Sequence, residues 1–277
     1  MEGYHFLPEA PPRAVGAAAA SVNLSDIAAK GGRPVAFLLD LLLTPGTPEA
    51  WARAVTDGAE SQLARFGAHL VGGDTKPAPR LGLVGTLVGL APRGRLAPRT
   101  GARPGDRVVT TGTVGRGGLA YLSWQLHPTS AAARAGLLRI RPRVREGALL
   151  ARWAHAMMDT SDGIADSARL LAEASRVRVV LEEALLPIEA GLRRKARSPV
   201  ALRRWAFLGG DYELLACLPA GDVAPARAAL RRVGCRLTEI GRIERGAGAW
   251  LEVPHGHVEM PEGTWRPFRS AGRPPRR

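Results

Sequence analysis

Two hydrophobic periods alternate along the chain, and together they predict most of its elements. Residues 14–30 are alanine-rich, with Leu24, Ile27 and Ala28 at helical spacing. Residues 35–44 form a near-continuous apolar run, which reads as a buried strand, and the turn cluster Thr44-Pro45-Gly46-Thr47-Pro48 ends it. Helical spacing returns over residues 48–66, where Trp51, Val55, Ala59 and Leu63 share one face and Gly67 closes the element. A short strand over 69–72 runs into Gly73-Asp74-Thr75, and the Leu/Gly/Val alternation of 81–90 predicts another.

The polar turn Gly101-Ala102-Arg103-Pro104-Gly105-Asp106 interrupts this pattern, and a new strand starts at 107–111. We place a domain boundary near residue 105. Beyond it the spacing predicts helices over 117–126, 144–156, 163–174 and 224–233. Strands are expected at 156–159, 177–182 and 213–218, with a glycine-interrupted turn over 205–212. Strands and helices mix without strict alternation, and glycines gather at strand ends. That predicts α/β or α+β layers rather than a helical bundle, and no repeat of solenoid period is visible.

Composition narrows the classes. The chain has 277 residues, 45% of them hydrophobic, enough for one large domain or two smaller ones. The most apolar run, 35–43, is broken by Asp40 and too short to span a bilayer. The first residues lack a basic segment followed by an apolar one, so no secretory signal is expected. Cys217 and Cys235 fit no metal or redox spacing, which predicts a reduced, cytoplasmic protein. The formal net charge is +14, yet only three lysines occur and the arginines are scattered without interleaved aromatics. This reads as a compositional bias towards arginine and alanine rather than a nucleic-acid surface.

Four short segments carry candidate chemistry. In Asn23-Leu24-Ser25-Asp26-Ile27-Ala28-Ala29 an aspartate sits inside an alanine-rich helix, where its side chain competes for backbone groups. In Gly72-Gly73-Asp74-Thr75 two glycines let the backbone approach a phosphate closely, and Asp74 offers a hard oxygen to a divalent cation. In Asp159-Thr160-Ser161-Asp162-Gly163 two carboxylates and two hydroxyls fall between a strand and a helix. Carboxylates three residues apart repel, a cation relieves them, and the following helix N-terminus favours phosphate. Gly209-Gly210-Asp211-Tyr212-Glu213 again sets small residues beside acids. An exposed helix face, an ordinary turn or a helix cap accounts for any one of these segments alone. Together they supply carboxylates and backbone donors suited to phosphoryl transfer, with no Walker A loop, protein-kinase signature or Cys/His cluster.

These four segments, in this order, resemble thiamine-monophosphate kinase of the PurM-like superfamily, related to aminoimidazole ribonucleotide synthetase. The resemblance runs over nearly the whole chain. It implies an α/β (α+β) fold of two domains: an N-terminal domain over 1–105 that contributes strands to a barrel shared across a homodimer, and a C-terminal sandwich over 106–268. Residues 269–277 would be a disordered basic tail. The implied reaction is ATP plus thiamine monophosphate giving ADP and thiamine diphosphate, with several Mg²⁺ ions. By the same resemblance Asp26, Asp74, Asp159 and Asp162 match metal ligands, and Gly73, Asp74, Arg99 and Ser161 match ATP contacts. His5, Asp211 and Phe268 fall at substrate positions. Two departures stand out. Met1–Phe6 looks like the end of the family's first acidic strand, so the N-terminal domain is expected to lack that strand and its acids. The last segment is one glutamate short of the family's Gly-Gly-Glu-Asp-Tyr-Glu. A nucleotide-binding paralogue with little or no turnover, or another ATP-dependent synthetase of the superfamily, stays open as an alternative.

Overall fold

The computed structural model describes residues 1–261. Phe268 and the basic tail lie outside the described residues. The chain opens with a turn flanked by the Glu2–Phe6 bridge: Gly3 N–H donates to the Phe6 carbonyl at 2.8 Å, and Glu2 N–H to that of Leu81 at 2.9 Å. Helix α1 (Pro12–Ala29) starts on a proline, whose fixed φ and missing N–H suit the first helical position. Strand β1 (Arg33–Leu43) follows through Gly31, which adopts φ 70°. Helix α2 (Glu49–Ala64) then packs across α1 at backbone contact. A Cβ added to Gly16 would lie 1.8 Å from the Val55 carbonyl oxygen, and one on Gly58 would lie 2.0 Å from that of Arg13.

The first sheet is built around β1. Strands β2 (His69–Gly72) and β3 (Thr75–Pro77) pair with it in parallel, one after the other, and β4 (Gly82–Leu90) pairs antiparallel along nearly its whole length. Residues of β4 alternate: Leu83, Gly85, Leu87 and Gly89 are half-buried, while Val84, Thr86, Val88 and Leu90 are exposed. Helices α1 and α2 cover one face. The other presents Leu38, Val84 and Val88 to solvent, between 43% and 52% exposed.

The second sheet has seven strands. In chain order they are β5 (Arg107–Thr111), β6 (Ala156–Asp159), β7 (Arg178–Glu182), β8 (Leu214–Leu218), β9 (Leu237–Glu244), β10 (Ala249–Val253) and β11 (Gly256–Glu259). Their spatial order is β11-β10-β7-β9-β5-β8-β6, antiparallel except where β10 meets β7. Strand β8 reads Leu-Leu-Ala-Cys-Leu and is buried throughout, because both its faces are covered. Leu214, Ala216 and Leu218 join the core that reaches back to α1 and α2, shared with α5 (Val144–Leu150) and α9 (Val223–Arg232). Leu215 and Cys217 face the opposite core, under α6 (Ile164–Ser175). Helix α1 is thus the common wall of both halves. Its contact with α5 is again at backbone distance, since a Cβ on Gly147 would lie 2.1 Å from the Ala28 carbonyl oxygen.

Several elements differ from the sequence expectation. Helix α5 stops at Leu150 rather than 156, and His155 N–H instead extends the β6–β8 ladder to the Cys217 carbonyl. Helix α3 (Arg116–Leu126) was legible, but the short helices α4 (Ala131–Leu137), α7 (Ala190–Lys195) and α8 (Pro199–Ala206) were not. α8 occupies the start of the expected 205–212 turn, and its signal was Ser198-Pro199: the serine caps Ala201 N–H with proline at the first helical position. Strands β3, β9, β10 and β11 also escaped the spacing argument. β9 mixes Thr, Glu and Arg with its apolar residues and is defined by its neighbours.

Because α1 and α2 meet through bare backbone, Gly58→Ala is expected to destabilise the protein by about 2–3 kcal/mol, read as a shift of the urea midpoint at unchanged slope.

Candidate functional site

A cavity of about 400 Å³ opens where α1, the β6–α6 turn and the loop into β8 converge, and Asp26, Asp159, Ser161, Asp162 and Tyr212 line it. Asp159 ends β6 and is buried, and both its oxygens are used. The Ser25 hydroxyl donates to Oδ2 at 2.6 Å and the Ser161 hydroxyl to Oδ1 at 3.1 Å. Ser25 lies on α1, so the first bond joins the two halves of the molecule. Gly163 turns the chain into α6 with φ 98°, and a Cβ there would lie 2.7 Å from the Phe207 carbonyl oxygen.

Three carboxylates crowd this space. Asp26 faces the cavity from α1, and its pKa is raised to about 6, first by burial and then by the charge of Asp159, against the pull of Lys30 and Arg99. Asp162 is raised as well, by burial and by Asp159 and Asp166. Lys30 is lowered, first by burial and then by Arg99. Arg99 is exposed, and its charge reaches Asp26, Lys30 and Asp162. The Tyr212 phenol is pushed up to about 12, by burial and by Asp159, Asp162 and Asp26 in turn.

The structure does not bring Asp74 to this cluster, which corrects the grouping of four aspartates. Asp74 is exposed, and its carboxylate takes Lys76 at 2.8 Å and the Thr75 N–H at 2.7 Å. Its own N–H donates to Asp40 Oδ1 at 2.8 Å. The ion pair with Lys76, first, and the Thr75 bond hold its carboxyl below the usual range. Gly73 is tied to this turn by close approach rather than by the cavity, since a Cβ would lie 2.0 Å from the Leu39 carbonyl oxygen.

Asp211 is also corrected. It is fully buried and turned away from the cavity, its two oxygens accepting the N–H groups of Gly115 at 2.8 Å and Gly117 at 2.9 Å, which caps α3. Burial raises its pKa to about 7 against those two bonds. His5 does line the cavity; burial lowers its pKa, and its ring meets Tyr4 edge-on at 4.9 Å.

Of the residues that position the loop, Thr160 and Glu213 fall in the sequence motifs but were not expected as site residues, and Thr111 and Arg143 fall outside them. Glu213 is buried and accepts Arg143 through Nε at 2.6 Å and Nη2 at 2.7 Å, and the Thr111 hydroxyl at 2.7 Å. Its N–H donates to Thr160 Oγ1 at 3.1 Å, and Thr160 N–H returns to the Glu213 carbonyl at 2.8 Å. This lattice fixes the β6–α6 turn against the loop. Its signal was a glutamate entering a buried strand, which needs a cationic partner.

Among the described residues no group of three or more His, Cys, Asp or Glu side chains is arranged to hold a metal ion by itself. Mg²⁺ shared between one or two carboxylates and a ligand's phosphates needs no such group. Here three carboxylates, one on α1 and two on the β6–α6 turn, line one cavity, and burial and their mutual charge raise Asp26 and Asp162.

The AIR synthase related protein, N-terminal domain, matches residues 1–91, and the AIR synthase related protein, C-terminal domain, matches residues 103–253. Thiamine-monophosphate kinase of Escherichia coli (strain K12) is 36% identical over 250 residues, 88% of this chain and 76% of that protein. The solved thiamine-monophosphate kinase from Stenotrophomonas maltophilia K279a superposes with a TM-score of 0.84 at 33% identity, covering 90% of this chain and 82% of that one. AaThiL complexed with AMPPCP and TMP gives 0.80 at 31% identity, over 94% and 82%. HypE structures, at 20–22% identity, share the fold.

A raised carboxylate pKa disfavours the folded state once the group ionises, so the penalty is absent below the unfolded value near 4 and complete above about 6. Asp26→Asn, in buffer containing a chelator, is therefore expected to gain roughly 1 kcal/mol at pH 8 after allowance for solvent screening. Urea titrations across pH should show the gain vanish by about pH 4.

Proposed function

The chain belongs to the AIR synthase related family and, within it, to the thiamine-monophosphate kinases, and from that premise we propose that its acidic cavity transfers a phosphoryl group from ATP to thiamine monophosphate, giving ADP and thiamine diphosphate. The observation that carries this reading is the convergence of Asp26, Asp159, Ser161 and Asp162 on one cavity between the two halves. AaThiL, which binds AMPPCP and TMP together, supports the pairing of the two substrates.

Phosphoryl transfer asks the protein for position and charge rather than covalent chemistry. Asp26, Asp159 and Asp162 would hold Mg²⁺, which when bound neutralises phosphate charge. Arg99 and Lys30, the cations whose charge reaches these carboxylates, would draw phosphates toward them. Ser161 is poised at the turn to exchange its bond to Asp159 for one to a phosphate oxygen. The first-turn N–H groups of α6 face the same turn and favour an anion there. Glu213 and Arg143 keep the loop rigid while this happens. Asp74 and Gly73 belong to the surface turn, and we assign neither a role in this cavity within one chain.

We also propose a homodimer through the uncovered face of the first sheet. Leu38, Val84 and Val88 form an apolar strip there, bordered by Asp40, and a second copy supplies a matching strip. The division into two domains near residue 105 is supported by family matches that end at 91 and resume at 103. Free, buried Cys217 and Cys235 support a reduced, cytoplasmic setting, and no helix among the described residues is long and apolar enough to cross a membrane.

Purified protein given Mg²⁺, ATP and thiamine monophosphate is expected to form thiamine diphosphate, resolved by chromatography. Asp159→Asn should lower kcat at least about 100-fold, and chelation of the metal should stop turnover. Nucleotide binding without product would refute the kinase reading. For the interface, Val84→Lys with Val88→Lys should convert a dimer to a monomer by light scattering.

A further inference from the structure

Among the described residues only two non-glycine residues have positive φ, Arg176 and Tyr212. Arg176, at 56°, ends α6 in the left-handed cap common at helix C-termini. Tyr212, at 54°, has no helix end to explain it: it enters a strand, directly after Gly209 and Gly210 at φ 97° and 78°. A bulky side chain in this region is strained, and such strain persists only where the surroundings enforce it.

The enforcement is visible on both sides. Asp211 is pinned into the N-terminus of α3 by two backbone bonds, and the Arg116 guanidinium donates to its carbonyl. Glu213 is pinned by the paired bonds from Arg143 and by Thr111. With both neighbours fixed inward, the backbone twists and the tyrosine ring joins the cavity wall beside Asp26, Asp159 and Asp162.

The polar end of that ring is uncommitted. The Tyr212 hydroxyl makes no hydrogen bond to a described residue and is not sealed from solvent, and the residue lines the cavity. The cavity wall is largely apolar, and its polar part holds three carboxylates beside His5, Asn23 and Ser161, whose hydroxyl is already given to Asp159. A phenol in such company is a donor. The ligand that brings acceptor oxygens to carboxylates is a phosphate whose charge a cation has balanced.

We propose that Tyr212 is a hydrogen-bond donor to the phosphates handled in this cavity, its hydroxyl contacting a phosphate oxygen in the complex. This assignment rests on the phosphoryl-transfer reading above. It gives the strained backbone a purpose: the twist brings a neutral donor to a site where three aspartates gather, and where a lysine or arginine would instead pair with the aspartates and compete for the cation's ligands.

Tyr212→Phe removes the oxygen and keeps the ring and backbone. Two readings of the full chain test it: steady-state kinetics with Mg²⁺, ATP and thiamine monophosphate, and calorimetric binding of the Mg²⁺ complex of AMPPCP. The expected result is a kcat lowered about 10- to 100-fold with KM for thiamine monophosphate within about threefold, or binding of the analogue about tenfold weaker, with Tm unchanged within about 2 °C. Parent-like kcat together with parent-like analogue affinity overturns the assignment. So does a loss of activity that accompanies a Tm lowered by more than about 5 °C, since that marks a packing role. If the parent protein fails to phosphorylate thiamine monophosphate, the kinase reading falls on its own. The analogue titration then decides the tyrosine: weaker binding by the variant sustains it, equal binding overturns it.

Discussion

The Ser25 hydroxyl donates to Asp159 across the seam between two sheets, at 2.6 Å. For that bond to form, α1 must lie against β6 with almost nothing between. The chain arranges this through small residues: Gly147 and Ala28 meet backbone to backbone, and Gly31 fits against Ala151. The same helix must also serve the first sheet, where Gly16 and Gly58 let α2 cross at contact distance. An alanine-rich helix is thus a geometric requirement of a wall shared by two cores. The cavity exists because this wall brings Asp26 within electrostatic reach of Asp159 and Asp162.

Much of this was legible because it is local. Asp159 and Asp162 share one turn, so their mutual repulsion follows from spacing alone, and the turn's place between strand and helix follows from periodicity. Asp26 was visible as a residue out of place in its helix. What sequence could not say is which carboxylate meets which partner. Asp74 and Asp211 have the same glycine-flanked look as Asp159, yet one is paired on the surface with Lys76 and the other caps a helix a hundred residues away in sequence. A glycine-aspartate pair signals that backbone N–H groups are near. Whether they belong to a ligand or to the protein's own helix is settled by tertiary contact.

The strands tell a similar story. β8 announced itself, because a strand buried on both faces needs five apolar residues in a row. β9 did not, because its Arg242 is placed among Glu182, Glu244 and Glu252, and that ion network satisfies polar residues which period-based reading assigns to loops. The hairpin of β10 and β11 extends the sheet from β7, with which β10 pairs in parallel. Tertiary pairing overrode propensity where charges were internally matched.

The cap on α3 has a wider meaning. A helix start offers unpaired N–H groups to any anion. At α3 Asp211 takes that place with its own carboxylate, held by Gly115 and Gly117. The helix end is thereby closed to anions from outside by a neighbour of the tyrosine that lines the cavity. Three consecutive residues so divide their labour: two acids are spent on the scaffold, and the ring between them is left to the open space.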